Sequence, residues 1–313
     1  MKRVLIITYY WPPSGGSGVQ RWLKMSKYLP EYGWQPVIYT ALDAEYPVED
    51  RTLERDIPAE AEVIKRKIVE PYTFYKRFLG IKNEQKIKVG FINEGERKQG
   101  WKENLSLWVR GNLFIPDARC WWMKPSVRFL KRYLKEHPVD AIISTGPPHS
   151  MHLIAMKLHN ALNIPWIADF RDPWTEIDYY RQLHLTPHSD RKQHQLEREV
   201  LTQADQVVTV APDGARRLEA LGASNVKTIY NGFDWNDEDR NTETRPQNEK
   251  FNLTYIGVLS KIQNPENLWE AICELVGENE SFGKKLQINM IGQIDQSVEV
   301  AIRKAKLEQY VVF

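Results

Sequence analysis

Short apolar runs alternate with helical patterns along this chain, and that rhythm constrains its fold more than any other feature. "RVLIIT" (3–8), "PVIYT" (36–40), "DAIIST" (140–145), "PWIADF" (165–170), "QVVTV" (206–210) and "VKTIY" (226–230) have the length and composition of buried strands. Residues 18–29, 124–136, 149–162, 190–203 and 213–221 carry apolar residues at helical spacing. Alternation of this kind predicts an α/β fold, a parallel sheet wound on both faces by helices. Right-handed crossovers then put the strand C-termini and their loops along one edge, where ligands bind in such sheets.

Two stretches break the rhythm. Residues 70–120 are too long for a plain connection and are expected to be an insertion with helices of its own. "FDWNDEDRNTETRPQNEK" (233–250) is polar and nearly free of aliphatic residues, which marks a linker. The alternation then restarts, with "FNLTYIG" (251–257), "LQINMIG" (286–292) and "YVVF" (310–313) as strands and 265–278 and 296–307 as helices. The 313 residues therefore divide into a first domain over 1–235, a linker over 236–250 and a second domain over 251–313 that is expected to be incomplete.

A net charge of +2 argues against a general nucleic-acid binder, whose affinity needs a strong positive field. The charge is unevenly placed. Residues 65–135 hold eighteen Lys or Arg against six Asp or Glu, interleaved with Trp101, Trp108, Trp121, Trp122, Phe74, Phe78, Phe114 and Phe129. Such a block suits an anionic membrane surface, and a packed core under a solvated face explains it equally well. Cys120 and Cys273 are far apart in the chain and read as free thiols of a reducing compartment. No segment is long enough to span a bilayer. The expected location is the cytoplasm, with attachment to the inner face of the membrane as an option.

Four motifs fall at predicted strand ends. "YYWPPSGGSGVQR" (9–21) joins the first strand to the first helix and departs from both the G-x-G-x-x-G and the Gly-Lys-Ser/Thr patterns. Its bare backbone at a helix N-terminus makes Gly15, Gly16 and Ser17 candidates for contact with a phosphate or sugar; a tight turn is the plain alternative. "STGPPHSMH" (144–152) offers His149 to a substrate, or else His149 and His152 as caps of the next helix; no third ligand accompanies them for a metal. "ADFRDPW" (168–174) gathers Asp169, Arg171 and Asp172 past a strand end, where carboxylates accept sugar hydroxyls and the arginine pairs with phosphate, unless the group is an ion-paired turn. "APDGARRL" (211–218) starts a helix, and "IYNGFD" (229–234) turns at Asn231 and Gly232 ahead of the linker. The acidic "DED" at 237–239 reads as solvated linker.

Taken in order, "PPSGGSGVQR", "STGPPHS", "DFRDPW", "VAPDGARRL…YNGFD" and "YIGVLSKIQNPENLWEAI" resemble family 4 glycosyltransferases, closest to those of bacterial surface polysaccharide assembly. The resemblance implies the GT-B fold, two Rossmann-like domains. It implies transfer of a sugar from a nucleotide-sugar donor such as a UDP- or GDP-sugar, with retention and without a metal or other cofactor. The acceptor would be a glycan or a lipid-linked species. On this reading Asp172, Arg171 and His149 are catalytic, and Gly15, Gly16, Ser17, Asp169, Asn231 and Lys261 bind substrate. The family commonly opens its second domain with Gly-Arg-Leu…Lys-Gly; here Val258 and Gln263 stand at the Arg and Lys positions, with Lys261 as the nearby cation. The family's later Glu-x7-Glu-type segment is not found before Phe313, so the chain itself is expected to turn over poorly. The rivals are a nucleotide-sugar epimerase of the same fold and a non-catalytic sugar-binding fragment.

Overall fold

The structure is a computed structural model that describes residues 1–42, 44, 46, 48–68, 101–234 and 249–313. These fall into two compact units, one of residues 1–68 and 101–234 and the other of 249–313.

The first unit is a seven-stranded, all-parallel sheet in the order β3-β2-β1-β4-β5-β6-β7. Its strands are β1 (Lys2–Ile7), β2 (Trp34–Leu42), β3 (Glu62–Lys67), β4 (Ala141–Gly146), β5 (Trp166–Phe170), β6 (Gln206–Thr209) and β7 (Val226–Thr228). Its helices are α1 (Ser17–Tyr28), α2 (Trp101–Leu113), α3 (Cys120–Glu136), α4 (Ser150–Leu162), α5 (Pro187–Gln203) and α6 (Pro212–Ala220). Strands 1, 4 and 5 read as unbroken apolar runs because both their faces are covered. Leu5, Ile7, Val37, Ile142 and Ala168 face a core shared with α3, α4 and α5, while Val4, Ile6, Ile38 and Ile143 face α1. Strand order reverses between β1 and β4, which both pair with register Ile6↔Ile143. That reversal opens a crevice at the strand C-termini, and both "PPSGGSG" and "GPPHS" leave the sheet there.

β3 was hidden within the basic block. It is an edge strand whose last three residues, Lys65, Arg66 and Lys67, are exposed, so it lacks the apolar run that reveals a buried strand. α2 lies within the stretch expected to be an insertion, and α3 begins four residues before the helical pattern at 124. Residues 69–100, with Phe74 and Phe78, and most of the expected linker, with its "DED", lie outside the described residues.

The second unit has a three-stranded parallel sheet in the order β10-β9-β8, built of β8 (Phe251–Leu259), β9 (Leu286–Ile294) and β10 (Val311–Val312). Helices α7 (Glu266–Glu278), α8 (Glu280–Lys285) and α9 (Gln296–Lys304) accompany it. Trp269 and Ile272 of α7, Ile288 and Met290 of β9, and Val298 and Ile302 of α9 form its own core.

Candidate functional site

The opening loop reaches α1 through Gly16, whose φ of 81° is a conformation that only glycine adopts cheaply. A Cβ there would meet nothing within 4 Å, so the constraint is the backbone angle and not space. Gly16 and Ser17 are exposed, and α1 begins with no side-chain cap and no acidic residue in its first turn. Its first N–H groups therefore face solvent at the positive end of the helix dipole, a setting that favours an anion. Gly15 has a different job. It is buried, its N–H donates to the Val48 carbonyl at 2.8 Å, and an added Cβ would lie 3.1 Å from both Val48 and Asp50. The expectation of ligand contact at Gly15 is corrected to packing of the loop against residues 48–50.

Asp169 is also corrected. Its side chain is fully buried and faces the interior of the fold. Arg21 of α1 donates to it from Nε and Nη2 at 3.1–3.2 Å, Trp22 donates from Nε1 at 2.6 Å, and Thr145 from its hydroxyl at 3.0 Å. Every accepting direction of the carboxylate is filled by protein. Arg21 then reaches on, donating from Nη1 to the Ile229 and Tyr230 carbonyls and to Asn231 Oδ1 at 2.9 Å. Asn231, an exposed residue, thus holds the first helix to the segment after β7. One turn further along α1, Lys24, Lys27 and Tyr28 bind Asp234. Sequence reasoning missed Arg21. Its signal was the spacing Arg21, Lys24, Lys27 and Tyr28, a polar stripe on one face of the helix.

Arg171 joins the two loops of the crevice. Its guanidinium donates to three carbonyls, Gly18 at 2.6 Å, Pro147 at 2.5 Å and Gly146 at 3.2 Å. It is a positioning residue that fixes the glycine loop against "GPPHS". His149 lies beneath, stacked on Trp174 with centroids 4.7 Å apart and planes within 7°. Burial first, and then the Arg171 charge, push its pKa down to about 3. A histidine so weakly basic stays neutral at ordinary pH. His152 is lowered too, chiefly by burial, and hydrogen-bonds Ser144 at 2.8 Å. His149 Nδ1 and His152 Nε2 both point at Gly146: a Cβ on that residue would lie 2.9 Å and 2.6 Å from them. Two more residues unmarked in the sequence complete the setting. Asp117 caps α4 by accepting from the Ser150 N–H and hydroxyl, each at 2.8 Å, and Gln193 accepts from Trp174 at 2.8 Å.

Asp172 differs from its neighbours. It is exposed at the rim, and among the described residues its carboxyl has no hydrogen bond or ion pair. Desolvation by the crevice wall raises its pKa, with Asp169 adding to the rise and Arg171 opposing it. A raised carboxyl without a partner in the protein is a candidate to accept a hydrogen bond from a ligand hydroxyl. Behind it lies a cavity of about 280 Å³ at the ends of β5 and β6, bordered by Glu176, Glu197, Thr209, Asp213 and Arg217. Buried Glu197 accepts from the Thr175 hydroxyl at 2.5 Å, and burial raises its pKa. Among the described residues, no group of three or more His, Cys, Asp or Glu is placed to hold a metal.

Lys261 belongs to the second unit. It is exposed in a short turn after β8 and borders a cavity of about 700 Å³ with Glu266, Trp269, Ser297 and Lys304. Gln263 closes that turn by accepting from the Ser260 N–H and hydroxyl at 3.3 and 3.1 Å. A local capping role therefore occupies the position where the resembled family places its lysine.

Residues 85–236, just under half of the chain, match the sequence profile of Glycosyltransferase Family 4. The described part of that match runs from α2 through β4, β5 and β6 to the segment after β7, and so contains Arg171, Asp172 and His149. The chain is glycosyltransferase-like. No curated protein sequence matches it significantly. Among solved structures it is similar to sucrose-phosphate synthase from Thermosynechococcus elongatus, at 13% identity and a TM-score of 0.55 over 100% of this chain and 70% of that one. A glycosyltransferase from Rickettsia africae is similar at 13% identity and a TM-score of 0.52, over 99% of this chain and 67% of that one. A TarM variant from S. aureus, solved with fondaparinux, alpha-GlcNAc-glycerol and UDP, is similar at 12% identity and a TM-score of 0.51, over 100% and 77%. At these identities the likeness concerns the fold, which is the GT-B type: two Rossmann-like parallel-sheet units, here with seven and three strands among the described residues.

Proposed function

We propose that this chain transfers a sugar from a nucleotide-sugar donor, a UDP- or GDP-sugar, to a hydroxyl of a glycan or lipid-linked acceptor in polysaccharide assembly. The anomeric carbon loses its bond to the diphosphate oxygen and gains one to the acceptor oxygen, with retention and without a metal. The acceptor oxygen bonds from the face that the nucleoside diphosphate leaves, which keeps the configuration, and its proton passes to the Asp172 carboxylate as the diphosphate departs as an anion. Asp172 is the residue that holds this hydroxyl, because its carboxyl is raised and unpartnered at the crevice rim. That observation carries the reading. The open N–H groups at Gly16 and Ser17 suit a phosphate. Arg171 and His149 act from beneath, fixing the loops and the crevice wall. The family 4 segment and the fold support a transferase, and the TarM relative supports the choice of a uridine nucleotide by what it was solved with. The same reading places the protein in the cytoplasm, where nucleotide sugars are made.

The test incubates the purified chain with labelled UDP- and GDP-sugars and with glycan and lipid-linked acceptors, and follows label into product. Asp172→Asn is expected to cut transfer about a hundredfold or more, in the range of a lost general base. Transfer by Asp172→Asn at the parent rate removes Asp172 from the chemistry. Conversion of the donor sugar to its epimer, without transfer, turns the assignment to an epimerase.

A further inference from the structure

The outer face of α3 is a basic stripe that the proposed chemistry does not use. Trp122, Ser126, Leu130 and Leu134 turn inward, four residues apart. On the opposite side Lys124, Arg128, Arg132 and Lys135 are exposed, and Trp121 is 51% exposed at the head of the row. Four charges of one sign along about three turns of one helix face repel one another, and folding alone gives no reason to align them. The edge of β3 extends the patch. Arg66 is exposed and lies 4.5 Å over the ring of Phe129 in α3, while its strand neighbours Lys65 and Lys67 point to the other face of the sheet. Among the described residues none of Lys67, Lys124, Arg128, Arg132 or Lys135 has an acidic partner.

α2 also exposes apolar side chains, and the end of α2 meets the stripe at Trp121. Leu105 and Trp108 of α2 lie three residues apart on one helix face and are each 39% exposed, and Leu113 at its end is 60% exposed. Trp121 rests edge-on against Phe114, the residue after α2, with centroids 5.9 Å apart. Exposed tryptophans and leucines at one border of a cationic face are the arrangement that an interfacial helix presents to lipid: rings at headgroup depth, cations against phosphates. A solvated protein face has no need of the rings, and a nucleic-acid groove does not call for leucines.

We propose that α3, the β3 edge and the exposed residues of α2 dock this protein on an anionic lipid bilayer. The charge complementarity of the stripe selects acidic headgroups, and Trp108, Trp121 and Leu113 enter the interface. Docking of this kind goes beyond the transfer reaction and is measured without any donor or acceptor.

The experiment is co-sedimentation of the full chain with vesicles of phosphatidylcholine alone and of phosphatidylcholine with phosphatidylglycerol. Binding is expected only to the second, falling as salt rises from low to 0.5 M. The triple variant Lys124→Glu, Arg128→Glu, Arg132→Glu is expected to partition roughly a hundredfold less, since each basic residue near the surface contributes a several-fold factor. Its circular dichroism and melting temperature should match the parent, because the three side chains have no partner to lose. Trp121→Ala is expected to weaken binding several-fold at every salt concentration. Absence of binding to anionic vesicles overturns the proposal, as does equal binding by the triple variant. Capture by a soluble polyanion such as heparin, with vesicles ignored, overturns it in favour of an acidic polymer.

Discussion

Asp169 and Asp172 stand three residues apart in one motif, yet they lie in opposite parts of the crevice. Asp169 is on its floor, fully buried and bonded by Arg21, Trp22 and Thr145. Asp172 is on its rim, exposed and without a partner among the described residues. The floor carries charge that is satisfied, and the rim carries a carboxylate with no protein partner among the described residues. The same division separates Gly15 from Gly16 in the loop facing them. Gly15 is buried with its N–H bonded to Val48, and Gly16 is exposed with nothing over it. A motif at a strand end is therefore a mixture of residues that build the crevice and residues that use it, and proximity in sequence does not sort them.

The strongest way to break this comparison is at the floor. Asp169→Asn leaves Arg21 buried with its charge uncompensated, which costs about 3–5 kcal/mol. The melting temperature should fall by about 10 °C. Removing both charges, with Arg21→Met added, should recover part of the loss, because an apolar pair needs no compensation. A chain with Asp169→Asn that melts like the parent would show that the floor is not held by this pair.

A second test uses acid. His149 has an ordinary pKa of 6.5 when unfolded and about 3 when folded, because burial disfavours its cation. Between those values the unfolded chain binds the extra proton, so the stability present above pH 6.5 is lost as pH falls. By pH 4.5 the loss from this residue is about 2–3 kcal/mol. His149→Phe keeps a ring against Trp174 and removes the titrating group. Its melting temperature should decline less than the parent's between pH 7 and pH 4.5, measured by calorimetry. Part of the decline persists, since His152 is depressed as well. Parallel curves for the two proteins would mean that His149 is protonated in the folded state and open to solvent.

The α/β architecture was legible because buried parallel strands write themselves as apolar runs, and all six strands read from the first domain are present. β3 was not legible, since an edge strand ending in Lys65, Arg66 and Lys67 has a solvent face and no such run. The location of the crevice was legible too, because strand order fixes which loops meet. Which residues within it are free was not. Arg21 lies 148 residues from Asp169, and no local pattern states that the two pair. The capping role of Gln263 differs, because Ser260 and Gln263 stand at the local Ser-x-x-Gln spacing of a capping box. Partnership is a tertiary property, and it decides whether a polar residue in a motif supports the fold or serves a ligand.

The smallest expected effect is the sharpest test of the rim. Burial raises the Asp172 pKa, so the folded chain favours the protonated form more than the unfolded chain does. Stability from this group is then present below the unfolded value near 3.8 and declines as pH rises through the folded value. Above both, the ionised carboxylate slightly destabilises the fold. Asp172→Asn removes that penalty and breaks no bond, so at pH 7 its stability should equal the parent's or exceed it by about 0.5 kcal/mol. Chemical denaturation at pH 7 resolves such a difference only as a near coincidence of the two curves. A fall of 2 kcal/mol or more, the cost of a lost partner, would move Asp172 to the floor beside Asp169. The rim would then hold no free carboxylate, and the fall in transfer expected of the same variant would be a folding defect. Near-equal stability together with lost transfer is the one combination that keeps the two aspartates distinct.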